Sequence, residues 1–563
     1  MSRALLALIP LSFLGLFFVY PLVAIFRLSL APTAVTGSET WRTLTTDAYY
    51  LRVLWFTTWQ AAVSTLGAFA LGLPAAYVFA RYRFPGKTLL RAVTTLPFVL
   101  PTVVVGTAFT ARLGPRGVLN TALMGLFDLE TPPIRLLHTV WIVLLAHVFY
   151  NTSVVIRMVG GFWSQLDPRL GAAAAVLGAD AWQRFRHVSL PLLTPVLTAA
   201  GLLVYLFNFT SFGVILILGG PRMATLEVEI YRTAVRFFNL PVAAVLALVQ
   251  MAFTLAITTV YTRLQARLTV PLSFRPAQAG ERQPRTGPER LFVFGILTLL
   301  GLFLLMPLAA LVWRSLTTPT GLGLEHYRNL FINRTGSVFF VTPIEALRNS
   351  LLVAAATVAL ALVVGISAAY LLVEERRAPS AWSRPGRRRQ WQVLLDPLFM
   401  LPLGTSAVTL GLGYIVALDK PPLNLRASLV IVPIAHALIA FPFVVRSLLP
   451  ILRGLDPHLR EAATVLGADP WRVRRFVDLP ILSRGLAVGT IFAFTVSMGE
   501  FGASLLLTRP QFPTLPVAIY RFLGQPGMAN YGQALALSVF LLAATACGFL
   551  AIERVRYGGG VEF

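Results

Sequence analysis

Cysteine and charged residues are scarce in this chain of 563 residues, and each shortage excludes a class of protein. The single cysteine, Cys547, allows no intramolecular disulfide, which excludes a disulfide-stapled secreted scaffold. Only 12% of the residues are charged, whereas 56% are hydrophobic and the mean hydropathy is +0.74. Since soluble domains carry about 25% charged residues, a soluble fold is also excluded. The composition predicts a membrane protein with several spans.

The few charges are mostly basic, with 47 Lys and Arg against 23 Asp and Glu and a net charge of +24. The basic residues lie between apolar stretches of membrane length, without the aromatic interleaving of a nucleic-acid module, so no nucleic-acid partner is expected. If the N-terminus is inside, thirty of the 47 fall on the inner side, which favours cytoplasmic termini. Hydropathy predicts about twelve spans in membrane lipid, at 4–26, 53–80, 91–112, 139–158, 191–218, 240–262, 291–313, 346–373, 392–417, 427–446, 481–507 and 531–552.

An internal repeat divides the chain into two halves. Residues 455–482 align without a gap on residues 166–193, at an offset of 289, with 17 of 28 positions identical. Each half carries six spans in the same order, so the repeat is parallel. Residues 264–290 mix proline with Gly, Gln and Arg, which suits a cytoplasmic linker. The predicted organisation is a first half over 1–263, this linker, and a second half over 291–563.

The best-matched segment of the repeat is a loop between spans, at 166–191 and again at 455–480. Because loops usually vary more than packed elements, a loop shared by both halves indicates a shared task. In each copy an Asp-Pro pair predicts the start of a short helix and a glycine predicts its end. The residues that these loops present are Ala172, Ala173, Ala174 and Gly178 in the first copy, and Glu461, Ala462, Ala463 and Gly467 in the second.

The second loop resembles the E-A-A loop of ABC-transporter permeases of the type I importer class. The motif is Glu461-Ala462-Ala463, then Gly467, then Val477-x-Leu479-Pro480, and the first loop departs from it only where Ala172 replaces the glutamate. The resemblance implies an all-α polytopic membrane protein, with about 12 transmembrane helices as two parallel-repeat six-helix halves. It places the chain in a bacterial plasma (inner) membrane.

The resemblance also implies partners. Two copies of an ABC ATPase would dock on the two loops and would hold ATP and Mg, and an external or periplasmic binding protein would deliver the substrate. The chain itself would bind no cofactor and catalyse no covalent step. Gly86-Lys87-Thr88 is similar to the end of a P-loop, but Arg81 stands where the leading glycine is needed, so ATP is not expected to bind here.

Fused two-copy permeases are known in the subgroup that imports ferric iron or thiamine. Leu218-Gly219-Gly220-Pro221 and Thr225-Leu226-Glu227 are among the stretches most similar to thiamine-importer permeases. The resemblance therefore implies a translocation pathway for thiamine or its phosphates, with ferric iron as the alternative.

Four ionisable or polar residues at membrane depth are candidates for the substrate pathway. Glu500 lies in the eleventh predicted span and aligns with Ser211, and a carboxylate there would favour a cationic substrate. His147 and His436 occupy equivalent places in the fourth and tenth spans. Because no further ligands stand near them in the sequence, we expect structural hydrogen bonds rather than a metal site.

The main alternative to an ABC permease is an ion-coupled secondary transporter, which also commonly has twelve spans in two parallel halves. Such a transporter needs intramembrane carboxylates for ion coupling, and Glu500 is nearly alone. It also gives no reason for a duplicated loop. A membrane-bound enzyme is disfavoured because the loops lack a convergent set of His, Asp and Glu.

Overall fold

The computed structural model describes residues 3–30, 41–42, 45–267, 281–318, 321–332, 341–374, 395–419, 424–426 and 428–557. Regular structure in these ranges is helical except for one antiparallel pairing of Thr317–Thr318 with Gly321–Leu322. Helices suit a chain of this composition because they satisfy every backbone hydrogen bond within the segment, as hydrocarbon surroundings require.

The first repeat is a succession of long apolar helices joined by short ones. Its helices are Arg3–Leu14, Tyr20–Leu30, Ala48–Arg81, Lys87–Val99, Thr102–Leu113, Val118–Phe127, Val140–Gln165, Pro168–Val176, Ala181–Arg184, Leu190–Phe209, Leu226–Tyr231 and Leu240–Arg267, with π-helical turns at Gly15–Val19, Phe185–Ser189, Ile215–Gly219 and Arg232–Arg236.

The second repeat follows a similar succession, although no helix among its described residues corresponds to Val118–Phe127. Its helices are Gly287–Leu316, Glu325–Arg328, Pro343–Glu374, Ala407–Ala417, Ile431–Gly454, Pro457–Val465, Pro470–Val473, Leu479–Gly499, Gly502–Leu507, Leu515–Leu523 and Met528–Tyr557, with 3₁₀ turns at Asn329–Phe331 and Leu401–Gly404 and a π-helical turn at Arg474–Asp478. Many of its elements lie near the offset of 289 from their counterparts in the first repeat.

Ten helices in the described part of the chain are long and apolar enough to cross a bilayer, and two bent helix pairs raise the number to twelve. The predicted all-α polytopic architecture is therefore confirmed. The bent pairs correct the predicted third and ninth spans, at 91–112 and 392–417, which are not continuous helices. They bend by 106° and 97°. Residues 392–394 of the ninth predicted span lie outside the described residues.

Each bend has a local cause in the backbone. In the third span, Leu100 and Pro101 are extended, with ψ of 138° and 140°, since a residue before proline is forced out of the helical region. In the ninth span, Thr405 and Ser406 are extended, and the Ser406 hydroxyl accepts hydrogen bonds from the amides of Val408 and Thr409 at the start of the next helix.

Two other predicted spans, 191–218 and 481–507, are also interrupted. The first ends as a helix at Phe209, and the second ends at Gly499 before a separate helix, Gly502–Leu507. Hydropathy alone could not show these breaks because the residues on both sides of them remain apolar.

Packing divides the chain into two compact units that do not follow the repeat. One unit consists of residues 1–40, 230–248 and 326–563, and the other of residues 41–229 and 249–325. Within the first unit, the Tyr20–Leu30 helix packs against Ala407–Ala417. Within the second, the Gly287–Leu316 helix packs against Thr102–Leu113. The predicted halves 1–263 and 291–563 are therefore repeats of the sequence and not the units that pack together. Sequence similarity between the halves shows duplication, but it does not show which helices pack against each other.

A glycine brings two long helices together at equivalent places in the two repeats. A Cβ added at Gly72 would lie 2.7 Å from Val155 of the Val140–Gln165 helix, and one added at Gly365 would lie 2.7 Å from Val444 of the Ile431–Gly454 helix. A side chain at either glycine would separate the helices. These contacts position the helices that carry His147 and His436.

The described end of the predicted linker is bound to the first repeat. The Arg83 amide donates to the Arg282 carbonyl at 2.9 Å, and the Arg282 amide donates to the Arg81 carbonyl at 3.0 Å. Lys87 Nζ lies 2.8 Å from Glu281 Oε1, with both side chains mostly buried. Residues 268–280 of the linker lie outside the described residues. The end of the linker thus forms part of the fold and is not only a tether.

The contact between the opening helix and the Ala407–Ala417 helix should be sensitive to volume. A Cβ at Gly413 would lie 3.0 Å from Pro21 Cβ and 3.2 Å from Ile25 Cδ1, so Gly413→Val should lower the free energy of unfolding by about 1–3 kcal/mol. Thermal unfolding of the purified chain in detergent measures this. Gly301→Val is the matched control, because a Cβ at Gly301 meets nothing within 4 Å. Equal losses in the two variants would contradict the contact.

Candidate functional site

The first repeated loop, 166–191, contains two short helices with a left-handed glycine between them. The Asp167 side chain accepts a hydrogen bond from the Arg169 amide at 2.9 Å and caps the Pro168–Val176 helix. Gly178 has φ of +87°, and its amide donates to the Ala175 carbonyl, which ends that helix. The Ala181–Arg184 helix then begins after Asp180. The fold follows the Asp-Pro and glycine positions that the sequence indicates.

The second repeated loop, 455–480, has the same construction. Asp456 accepts a hydrogen bond from the His458 amide at 3.0 Å and caps the Pro457–Val465 helix. Gly467 has φ of +81° and ends it, and Asp469 accepts from the Arg472 amide at 2.7 Å. Glu461 lies on the exposed face, where its Oε2 is 3.1 Å from His458 Nδ1.

The end of the first short helix in each loop presents two apolar side chains to the surroundings. Val176 and Leu177 are 89% and 87% exposed, and Val465 and Leu466 are both 87% exposed. We call these four residues the loop tips. Adjacent apolar side chains at the same place in two polar loops are costly to leave in water, which is typical of a surface that binds another protein.

A buried histidine lies in the interior of each repeat. His147 Nε2 is 2.8 Å from Ser211 Oγ, beyond the end of the Leu190–Phe209 helix, and its Nδ1 is 3.1 Å from Ser64 Oγ on the Ala48–Arg81 helix. The helix end beside it is also satisfied, because Gln60 Nε2 donates to the Asn208 carbonyl at 2.9 Å. His147 therefore joins three segments at the point where the predicted fifth span is interrupted.

His436 has the same place in the second repeat but a different set of partners. Its Nδ1 is 2.9 Å from Ser497 Oγ, and its Nε2 is 2.8 Å from Ser504 Oγ and 3.2 Å from Glu500 Oε2. The two Glu500 oxygens accept hydrogen bonds from the Ala503 and Ser504 amides at 3.0 and 2.9 Å. The carboxylate thus caps the Gly502–Leu507 helix, which explains why the predicted eleventh span is broken there.

Comparison with known proteins shows similarity to components of transport systems. Residues 68–270 match the family described as "Binding-protein-dependent transport system inner membrane component". A thiamine transport system permease protein of Brucella suis is 28% identical over 514 residues, 88% of this chain and 88% of that protein. Those of Salmonella typhimurium and Haemophilus influenzae are 27% identical, over 92% and 96% of this chain and 91% and 94% of the relatives. Residues 68–270 thus carry a permease domain of binding-protein-dependent transport systems, and the whole chain is similar to ABC-importer permeases.

The similarity of the permease to these relatives extends over both of its repeats. It is the transmembrane subunit of an importer, and the family is one of transport components rather than catalysts. A chain of a solved bacterial alginate ABC transporter is also similar, at 18% identity, with coverage of 46% of this permease and 92% of that chain and a TM-score of 0.39.

The residues predicted for the loops lie where the sequence places them. Ala172, Ala173 and Ala174 lie on the Pro168–Val176 helix, and Glu461, Ala462 and Ala463 lie on Pro457–Val465. Most of these positions are exposed, and only Ala174 and Ala463 are partly covered. Their role in binding an ATPase stays a prediction, which the exposed loop tips support.

The four residues predicted for the pathway are brought together in pairs. His147 contacts Ser211, and His436 contacts Glu500. The Glu500 carboxylate is fully engaged by His436 and by two backbone amides, so its attraction for a cationic substrate stays a prediction. Among the described residues, no group of three or more His, Cys, Asp and Glu is placed to hold a metal ion.

The structure brings into contact several polar residues of the permease that no sequence pattern singles out. Ser64 and Thr357 occupy equivalent positions beside the two histidine networks, and Thr357 accepts from Ser497 at 3.2 Å. Arg460 and Asp478 form an ion pair in the second loop. The repeat alignment could have indicated this pair, because two residues of opposite charge in the second loop align with the uncharged Gly171 and Ser189 in the first.

Proposed function

We propose that this permease forms the whole translocation pathway of a thiamine importer driven by two ATPase subunits. The observation that carries the proposal is the pair of repeated loops, each with a capped short helix, a left-handed glycine and an exposed apolar tip. Within the chain itself, the two exposed tips contribute little to packing. Two copies of one partner, bound in the same way to each loop, explain why the loop is duplicated.

The partner that fits these loops is an ATPase subunit that holds ATP and Mg. An importer needs an energy source, and Gly86-Lys87-Thr88 supplies none, since Lys87 is paired with Glu281 and with the Tyr82 carbonyl. In the proposed cycle, ATP binding draws the two ATPase subunits together and the loops pass that motion to the long helices that follow them. The permease then alternates between inward and outward openings.

The proposed orientation places both termini and both loops in the cytoplasm of a bacterium with a plasma (inner) membrane. Thirty of the 47 basic residues then lie on the cytoplasmic side, eleven of them in the two inner segments that contain the loops. The opposite side would receive substrate from an external or periplasmic binding protein.

Thiamine is the substrate that the relatives support. Three of them, named as thiamine transport system permeases, extend over almost the whole chain at 27–28% identity. Thiamine is a cation. Thiamine phosphates and ferric iron are the alternative substrates, and competition during uptake distinguishes them from thiamine. Selection of the substrate falls first on the binding protein, because it captures the solute before the permease does.

Reconstitution in liposomes tests the proposed function. We expect labelled thiamine to accumulate only when the permease, an ABC ATPase, a thiamine-binding protein and internal ATP are all present. Unlabelled thiamine phosphates and ferric ion, added in excess, show whether either competes. Uptake that continues without ATP and stops when an ionophore dissipates the ion gradient would instead identify a secondary transporter.

A further inference from the structure

The second repeated loop contains an ion pair that the first cannot form. Arg460 Nε donates to Asp478 Oδ1 at 2.8 Å and Arg460 Nη2 donates to Asp478 Oδ2 at 2.9 Å, which is the two-pronged geometry that makes an Arg–carboxylate pair strong and directional. Asp478 is only 2% exposed, and the Arg460 side chain is 24% exposed. The pair is therefore shielded from water and is weakened less by solvent than a surface salt bridge.

This pair ties three elements of one compact unit together. Arg460 lies on the Pro457–Val465 helix, and Asp478 directly precedes the long Leu479–Gly499 helix. Tyr370, from the Pro343–Glu374 helix, donates its hydroxyl to Asp478 Oδ2 at 3.4 Å. A displacement of the short helix must therefore move the long helix with it or break two charged hydrogen bonds.

The first loop cannot form this particular ion pair, and an aromatic contact lies near the same place. Gly171 and Ser189 stand at the positions of Arg460 and Asp478 and carry no charge. The rings of Trp182 and Phe185 lie 5.7 Å apart, and Phe185 stacks on Trp163 at 6.2 Å. Aromatic pairs are favourable in more than one ring arrangement, whereas a two-pronged ion pair holds one geometry.

We propose that Arg460 and Asp478 are positioning residues that lock the second loop rigidly to its membrane helix, so that the two loops transmit ATPase motion unequally. This proposal rests on the proposed function. The second loop connects its short helix rigidly to the long helix that follows. The first loop deforms before it passes motion of the ATPase to its long helix. Two identical ATPase subunits would thus drive the two halves of one chain through unlike connections.

Amide hydrogen exchange on the full permease in detergent tests the anchoring without any partner. We expect amides of Pro457–Val465 to exchange about fivefold more slowly than those of Pro168–Val176, because breaking the ion pair precedes opening. Asp478→Asn should remove most of that difference, and Ser189→Ala should leave it unchanged. Equal exchange in the two loops of the wild type would overturn the proposal.

The ratio of thiamine taken up to ATP hydrolysed, in the reconstituted complex, tests the consequence for transport. We expect Asp478→Asn to keep the ATPase bound but to lower this ratio by about fivefold. Arg460→Lys, which keeps the charge and loses the two-pronged geometry, should lower it by less. The exchanged pair Arg460→Asp with Asp478→Arg should restore part of the ratio that Asp478→Asn loses, because it rebuilds an ion pair between the same two elements.

Trp182→Ala is the matched variant of the first loop, and it should change the ratio less than twofold. An unchanged ratio in Asp478→Asn, or an equal fall in Trp182→Ala, would contradict unequal transmission. If the wild-type permease neither binds the ATPase nor takes up thiamine, the proposed function fails, and the exchange measurement still decides whether the second loop is anchored.

Discussion

Replacement of Gly178 and Gly467 together by aspartate should abolish co-purification of the ATPase while the permease stays folded. Both glycines have positive φ and follow directly after the loop tips, and a Cβ at either meets nothing within 4 Å. Aspartate is among the residues that tolerate the left-handed region, so the backbone can persist. A carboxylate beside each apolar tip would be buried without a partner on docking, which costs enough to lose more than about tenfold in affinity at each site.

The control for this variant is another left-handed glycine outside the repeated loops. Gly86 has φ of +74°, and a Cβ there also meets nothing within 4 Å. Gly86→Asp should leave ATPase binding and thermal unfolding nearly unchanged. Undiminished co-purification in the double variant would show that the loops do not bind the ATPase. Each single variant should retain one docked subunit, detectable by the mass of the complex.

The second large effect is expected in the interior, where the two histidines allow a comparison within one chain. His436→Leu leaves the Glu500 carboxylate buried with only its two backbone amides, and a buried charged group that loses a hydrogen-bond partner costs about 3 kcal/mol or more. His147→Leu removes the imidazole partner of two neutral hydroxyls, those of Ser64 and Ser211. Loss of neutral buried hydrogen bonds costs less, about 1–3 kcal/mol.

Thermal unfolding of the two leucine variants in the same detergent measures the difference. The His436 variant should melt at the lower temperature, and Glu500→Gln in the same chain should recover part of the loss, because a neutral amide costs less to bury. Equal melting temperatures for the His436 and His147 variants would show that the carboxylate is not held by the imidazole.

The sequence predicts the architecture well where one property determines it. Span number follows from apolar length, and the loop helices follow from Asp-Pro pairs and glycines, since those residues control the local backbone. The internal repeat also predicts the place of His436 from that of His147. Each of these predictions uses only local chemistry or self-similarity, and the structure places the loop helices and His436 accordingly.

The remainder depends on long-range contacts. The break after Gly499 comes from a carboxylate that accepts two amides of the next helix and approaches His436, more than sixty residues earlier. Hydropathy contains no term for such a contact. The sequence also does not show that the opening helix of each repeat packs against a helix of the other repeat. An apolar helix could pack equally well against the corresponding helix of its own repeat. Substrate pathway residues stay predictions for the same reason.

The contact of Pro21 and Ile25 with Gly413 sets a timetable for biosynthesis. The opening helix leaves the ribosome almost 400 residues before its partner is made, a delay of about 20–80 s at usual rates of about 5–20 residues per second. During that interval the helix must wait in the bilayer with lipid on the face that Gly413 will later cover. The contact within this unit of the fold therefore forms only after residue 413 has been made.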